Sequence, residues 1–394
     1  MNASQPPVWR IALVLGLLTA LGPLATDLYL PALPSMEQAL ATDAAGVQLT
    51  LIVFFLGFGL AQLLWGPLAD RLGRRPVLIA GAGLFVAASI GCVLAPSLSL
   101  LVTMRLFQAI GAAALMVVPR AVVTDLYEGS SAARLMGVIM IITAASPLLA
   151  PLGGSGLLVF TDWRGIFAVL VVVGVLALAA TIIFLPESSR DLKKASLRQI
   201  AKRAREMLCD RAFHRPALAG SFGFASFAIL IVAAPFVFTE KYGLAPTGFA
   251  LVFAAIAFGF VVAAGAGGAV TERIGEGRTL SLGLTLYAGA AIVATGLALT
   301  GPPPLWLCIM SLFAVTAGLG LVVPVSTVLA LGPQSEDGGL ASSVLGALQM
   351  LIGALAAALL GAMGTAGSLA AMTTAISIAG LCAWMTYRIP SAAH

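Results

Sequence analysis

The sequence predicts an all-α polytopic membrane protein of twelve transmembrane helices in two six-helix halves, and three observations carry that prediction. The chain of 394 residues is 60% hydrophobic and 9% charged, where a soluble chain carries about 25% charged residues. Its apolar residues gather into twelve runs, each long enough for the roughly 20 residues that a ~30 Å hydrocarbon core requires. A ten-residue loop between the second and third runs recurs between the eighth and ninth.

In chain order the runs lie at about 11–33, 48–69, 76–95, 98–120, 135–159, 165–186, 214–239, 247–270, 279–299, 304–331, 339–362 and 368–388. The first is expected to remain as a span rather than a cleaved leader, because it is long, has only Arg10 beside it and is followed by eleven more. An even number of spans puts both termini on one side. With that side cytoplasmic, 18 of the 21 Lys and Arg residues fall in cytoplasmic ends and loops; Arg164 and Lys241 fall outside and Arg105 lies in the membrane. The positive-inside rule therefore predicts cytoplasmic termini. The net charge of +5 reflects this orientation rather than an acidic partner.

The expected organisation is an N-terminal half over 1–187, a cytoplasmic linker over 188–213 and a C-terminal half over 214–394. The linker holds "ESSRDLKKASLRQIAKRAREMLCDRAF", starting at Glu187. Its basic residues recur at near-helical spacing beside Leu192, Leu197, Ile200 and Leu208, which predicts an amphipathic helix on the inner leaflet. Nucleic-acid binding is the sharper reading of that charge, but a connector between two halves explains it with fewer assumptions, so no nucleic-acid partner is expected. Cys92, Cys209, Cys308 and Cys382 have no metal spacing and read as small buried thiols. His214 opens a span and His394 ends the chain, so no His-based metal or cofactor site is expected.

Residues 66–75 read "GPLADRLGRR" and residues 268–277 read "GAVTERIGEG". At this offset two glycines and an arginine are identical, and Asp faces Glu. Transporters built from parallel repeats of this kind hold substrate near the bilayer midplane, at the interface between repeats.

The loop "GPLADRLGRRP" resembles the helix 2–3 signature of the major facilitator superfamily, carried here by Gly66, Asp70, Arg71, Gly73, Arg74 and Arg75. Gly73 permits a tight turn, and Asp70 at the membrane edge is placed to cap a helix or pair with an arginine. The resemblance implies a latch that bridges to helix 11 in the outward-facing state, with Asp125 as the acid that pairs with the loop arginines. "LVTMRLFQAIGAAA" is similar to the superfamily's helix-4 pattern through Arg105, Gln108, Gly111, Ala112 and Ala113. "SPLLAPLGG" resembles the helix-5 antiporter signature through Pro147, Pro151, Gly153 and Gly154, although Ala150 replaces its first glycine and the spacing is one residue short. "TDLYLPALPSM", with "PRAVVTDLY" and "DWRGIF", resembles the Bcr/CflA branch of drug:proton antiporters, named for bicyclomycin and chloramphenicol resistance. That resemblance implies a monomeric, multi-pass exporter of small amphiphilic compounds in a bacterial inner membrane, driven by protons and needing no cofactor.

Asp27 and Arg105 are the charged residues well inside spans. Asp27 sits about 24 Å along the first span from Ile11, and Arg105 about 10 Å along the fourth from Leu98, at 1.5 Å per residue. Because the two spans run in opposite directions, the charges meet in the outer half of the core at similar depth and are expected to be partners. Intramembrane ionisable residues default to function, so Asp27 is the expected proton carrier and Arg105 its modulator. Tyr29, Phe54, Phe55, Phe222, Phe224 and Phe227 are candidates to line an apolar substrate cavity, with Gln62, Gln108 and Gln349 as its polar contacts. No cluster of His, acid or activated Ser or Cys supports an enzyme, and no ring of charged groups supports a channel. A dedicated proton-linked exporter of a single metabolite is the alternative to drug efflux.

Overall fold

The computed structural model describes residues 7–188, 197–365 and 367–388, and among these residues all regular structure is helical. Twelve candidate spans are present by length and composition, in agreement with the twelve apolar runs. The helices are α1 (Val8–Asp27), α2 (Leu33–Ala39), α3 (Ala44–Leu72), α4 (Arg74–Val93), α5 (Leu98–Leu126), α6 (Gly129–Leu157) and α7 (Trp163–Phe184). After the linker helix α8 (Leu197–Cys209) come α9 (Arg211–Tyr242), α10 (Pro246–Ile274), α11 (Glu276–Leu299), α12 (Leu305–Leu331), α13 (Gly338–Ala362) and α14 (Leu369–Arg388).

Several helices outrun their apolar runs, since hydropathy marks the edge of the hydrocarbon while backbone hydrogen bonding carries the helix beyond it. Thus α5 continues through Arg120 and Asp125, six residues past the predicted end of its span. The first run is itself interrupted. α1 stops at Asp27, a 3-10 turn covers Leu30–Ala32, and α2 resumes at Leu33. Pro31 and Pro34 explain the interruption, because neither can donate the backbone N–H that a continuous helix requires.

Internal contacts divide the chain into two compact units, one of Met1–Ala32 with Val53–Lys202 and one of Leu33–Ile52 with Arg203–His394. In the first unit α4 packs on α5 and α7, while α1 packs on α5, α6 and α7. In the second, α12 packs on α9, α10 and α11, while α9 also packs on α13 and α14. Large apolar side chains such as Leu56, Leu60 and Leu64 on α3, and Ile182 and Ile183 on α7, point outward. Outward apolar surface suits lipid, where helix association comes from close packing of small residues rather than from burying hydrophobic area.

Glycines set that packing. A Cβ on Gly111 of α5 would lie 2.7 Å from the Gly81 carbonyl oxygen and 2.7 Å from the Phe85 amide nitrogen of α4. The second unit repeats the arrangement, with a Cβ on Gly318 of α12 falling 2.6 Å from the Tyr287 nitrogen of α11. The repeated loop is also visible in the backbone. Gly73 before α4 has φ 98°, ψ 156° and Gly275 before α11 has φ 85°, ψ 157°, both in the left-handed region that favours glycine.

The linker helix α8 is present, whereas Arg190, Leu192, Lys193 and Lys194 lie outside the described residues. The expectation of four buried thiols holds for Cys92 and Cys308 but not for Cys209, which is exposed near the end of α8, nor for the half-buried Cys382. Cys209 belongs to a helix of mixed polarity that has one buried position nearby, Met207.

Gly111→Ala is expected to lower the melting temperature of the purified protein by about 2–3 °C, since overpacking against backbone costs about 2 kcal/mol. Gly83→Ala, whose added methyl meets nothing within 4 Å, is expected to leave it unchanged.

Candidate functional site

The break after α1 positions the carboxylate singled out by the sequence. Asp27 is the last residue of α1 and is 3% exposed. Its Oδ1 accepts a hydrogen bond from Thr26 Oγ1 at 2.9 Å, and its Oδ2 accepts one from Ser146 Oγ of α6 at 3.0 Å. Ser146 reaches it because α6 comes close to the break. A Cβ on Gly154 would collide with the Leu28 carbonyl oxygen, and one on Gly153 would lie 3.6 Å from Leu28 Cδ1. The small residues of "SPLLAPLGG" thus seat α6 against the residue that follows Asp27, and Pro147 and Pro151 lie inside the same helix.

Arg105 is fully buried in α5 of the same unit. Its Nη1 donates to Gln108 Oε1 at 2.5 Å and its Nη2 to Tyr29 Oη at 3.2 Å. Gln108 Nε2 then donates to Ser89 Oγ at 2.7 Å, and Ser89 Oγ donates to the Phe85 carbonyl at 2.7 Å. The chain of donors ends on backbone. Three aromatic faces complete the surroundings, with the guanidinium carbon 4.4 Å from the centroid of Phe54, 4.6 Å from Tyr29 and 5.7 Å from Phe167. Ring faces carry negative potential and attract a desolvated cation, worth about 2 kcal/mol in such settings. Asp27 and Arg105 form no ion pair with one another. The two are linked instead through the chain, since Tyr29 lies two residues beyond Asp27 and holds the guanidinium. Matching depth brought both charges to one region, but the azimuth of each helix selected other partners.

The helix 2–3 loop forms a second polar centre. Arg74 Nη1 pairs with Asp70 Oδ1 at 2.6 Å and Arg74 Nε with Asp125 Oδ2 at 3.0 Å. Asp125 also accepts from Ser188 Oγ at 3.3 Å. Glu187, just beyond α7, accepts from the Arg74 and Arg75 amides at 2.9 and 3.2 Å, so it caps the N-terminus of α4 from a distant part of the chain. Arg75 Nη2 donates to the Ile182 carbonyl at 2.7 Å. Gly73 is required twice over, by its φ of 98° and by the Glu187 carboxylate that a Cβ would meet at 2.6 Å. Arg71 is half-buried on α3, and Gly66 precedes the Pro67 within that helix. Glu187 and Ser188 escaped sequence reading, because no local pattern ties the end of one span to a loop more than a hundred residues earlier.

The remaining pocket candidates fall in two places. Phe55 and Gln62 are buried on α3. Phe222, Phe224 and Phe227 are half-buried on α9, where the Phe224 and Phe227 centroids lie 6.5 Å apart and Phe227 lies 6.3 Å from Phe260 of α10. Gly353 of α13 makes room for the Phe224 ring, and Gln349 of α13 faces Gly220 of α9 with its Nε2 3.9 Å from where a Cβ would stand.

Residues 15–357 match the family model described as Major Facilitator Superfamily. The chain is 32% identical over 362 residues to the uncharacterized MFS-type transporter YdgK of Bacillus subtilis, covering 89% of this chain and 88% of that protein. It is 33% identical over 371 residues to the chloramphenicol resistance protein of Pseudomonas aeruginosa, covering 91% and 84% respectively. Among solved structures, the D-xylose-proton symporter superposes with a TM-score of 0.77 at 18% identity, over 96% of this chain and 97% of that one. At that identity the likeness shows the fold.

Arg105→Lys keeps the charge but loses the planar fork and the ring contacts. It is expected to lower the melting temperature by about 2–3 °C, corresponding to ~2 kcal/mol, in detergent-purified protein.

Proposed function

This chain belongs to the Major Facilitator Superfamily, and from that premise we propose that it exports small amphiphilic compounds, antibiotics among them, in exchange for protons. It is a multi-pass membrane transporter of small-molecule substrates rather than an enzyme. The proposal concerns cargo and coupling. The observation that carries it is a single one: the intramembrane carboxylate Asp27 is satisfied by two neutral hydroxyls rather than by a cation. A carboxylate held in an ion pair resists protonation, because neutralising it strands a buried positive charge. One held by hydroxyls accepts a proton and leaves behind only groups that rotate. An acid kept inside a span at a cost of roughly 2.5–3.5 kcal/mol on insertion scales is retained for a use.

In the proposed cycle, Asp27 is deprotonated when substrate is taken from the cytoplasmic side. Protonation from the outer side accompanies release, and the neutral acid permits the return. One proton moving inward per neutral molecule exported supplies about 2.3 kcal/mol per 100 mV, enough for roughly fiftyfold accumulation. Arg105 and its aromatic and amide partners hold the turn that carries Tyr29, so they fix the geometry around the acid. Tyr29, Phe54, Phe55, Gln62, Gln108, Phe222, Phe224, Phe227 and Gln349 remain the proposed substrate contacts. The centre formed by Gly66, Asp70, Arg71, Gly73, Arg74, Arg75 and Asp125 is the proposed conformational latch. The similarity to a protein named for chloramphenicol resistance supports phenicols as test cargo. The distribution of Lys and Arg supports cytoplasmic termini, the bacterial relatives support an inner membrane, and a monomer is the proposed working unit.

The test is accumulation of dyes and antibiotics, phenicols included, in efflux-deficient bacteria expressing the parent or Asp27→Asn, with a proton uncoupler as control. The parent is expected to lower accumulation of several unrelated compounds, and both the uncoupler and the substitution to abolish this. Undiminished uphill export by Asp27→Asn would overturn the proposal. A parent that reaches the membrane and exports no panel compound would point to a single metabolite as cargo.

A further inference from the structure

We propose that Ser146 is the positioning residue that transmits the protonation state of Asp27 to α6, using an acceptor that Pro147 frees for it. The inference rests on the reading of Asp27 as the proton carrier.

A serine hydroxyl has one proton to donate and lone pairs to accept with. Ser146 spends that proton on Asp27 Oδ2. It also immediately precedes Pro147, which has no N–H, so the Thr143 carbonyl loses the donor that residue 147 would supply in an unbroken helix. That carbonyl lies three residues before Ser146, within reach of a serine hydroxyl bonding back along its own helix. Ser146 therefore has two acceptors at its disposal, a carboxylate on α1 and a backbone oxygen on α6.

Protonation of Asp27 decides between them. The carboxylate can only accept, so the Ser146 proton points to it. Once Oδ2 carries a proton it donates to Ser146 Oγ, and the Ser146 proton turns to the Thr143 carbonyl. The donor direction across the α1–α6 contact reverses, and the Thr143 carbonyl, which Pro147 cannot serve with an N–H, receives the Ser146 hydroxyl. Thr26 can follow, since its hydroxyl is also 2.9 Å from the Pro23 carbonyl. The reversal takes place about two turns along α6 from Gly153 and Gly154, which seat the same helix against Leu28, so a change in helix direction at Pro147 acts on the break after Asp27.

Among the described residues, no ion pair involves Asp27. The helices packed on α1 carry Arg105, Arg120 and Asp125 on α5, Arg134 on α6 and Arg164 on α7, and none of these pairs with Asp27. Arg105 is joined to the turn through Tyr29, Asp125 is engaged by Arg74, and Arg164 donates to the Ala95 carbonyl.

The test is an infrared titration of the full chain in proteoliposomes, following the C=O stretch of a protonated carboxylic acid with no substrate present. The parent is expected to show a titrating band that Asp27→Asn removes. Ser146→Ala is expected to move the midpoint by about one pH unit, a tenfold change in proton affinity, and to change the band frequency. Ser146→Thr should restore both. Pro147→Ala returns an N–H to the Thr143 carbonyl, competes with the acceptor that Ser146 uses only when Asp27 is protonated, and should shift the midpoint in the direction opposite to Ser146→Ala. If Ser146→Ala does not reach the membrane, Ser146→Cys keeps the volume, weakens the hydrogen bond and is read in the same way. A band that titrates in the parent but is unmoved by every Ser146 and Pro147 variant overturns this proposal alone. A parent with no titrating band overturns the proton-carrier reading on which it rests.

Discussion

A polar group inside a bilayer has no water to turn to, and the arrangement of the first unit follows from meeting that demand within the chain. The Asp27 carboxylate needs two donors. One is its neighbour Thr26, while the other requires α6 to come within hydrogen-bonding distance, which Gly153 and Gly154 make sterically possible. The Arg105 guanidinium draws Gln108, Ser89 and three aromatic rings around itself and reaches Tyr29 on the far side of the α1 break. The turn at 28–32 is thereby held from both ends, by a helix seated against Leu28 and by a cation bonded to Tyr29. The interruption that Pro31 and Pro34 make in the first span is held in place by the contacts that satisfy these two charges.

The second unit meets the same demand with neutral groups. Ser226 of α9 and Tyr287 of α11 share a hydrogen bond beside the Ile376 carbonyl of α14. Thr316 of α12 donates to the Ile256 carbonyl of α10 at 2.5 Å, and Gln48 Nε2 donates to the Val232 carbonyl of α9 at 3.2 Å. Pairs of this kind hold helices in register without responding to pH.

Much of this was legible in the sequence, and what was not has a common cause. The twelve spans follow from hydropathy, Asp27 and Arg105 follow from charges placed where charges are costly, and the pairing of Asp125 with the loop arginines follows from the family resemblance. Ser146 was visible as the first letter of the helix-5 motif yet was given no role, because a hydroxyl in an apolar run looks the same whether it packs or bonds. Its partner lies 119 residues away. Glu187 is likewise an ordinary loop acid until the fold returns it to the start of α4. The expected pairing of Asp27 with Arg105 failed for a geometric reason, since residue counting gives depth along a helix but not the direction in which a side chain points. The break after Asp27 was foreshadowed by two prolines, but a hydropathy reading passes over them because proline does not interrupt an apolar average.

The two glycine turns at 73 and 275 separate two kinds of inheritance. Both keep the same left-handed backbone, which no side chain can be added to without strain. Only the first is clasped by an acid, because Glu187 fills the space that is open around Gly275. After a duplication, steric requirements of the main chain persist in each copy, since every later sequence must still make the bend. Electrostatic partnerships need two residues to survive together and are lost when either drifts. In this loop the bend, an arginine and an acid persist in both halves, while the Glu187 clasp belongs to the first alone.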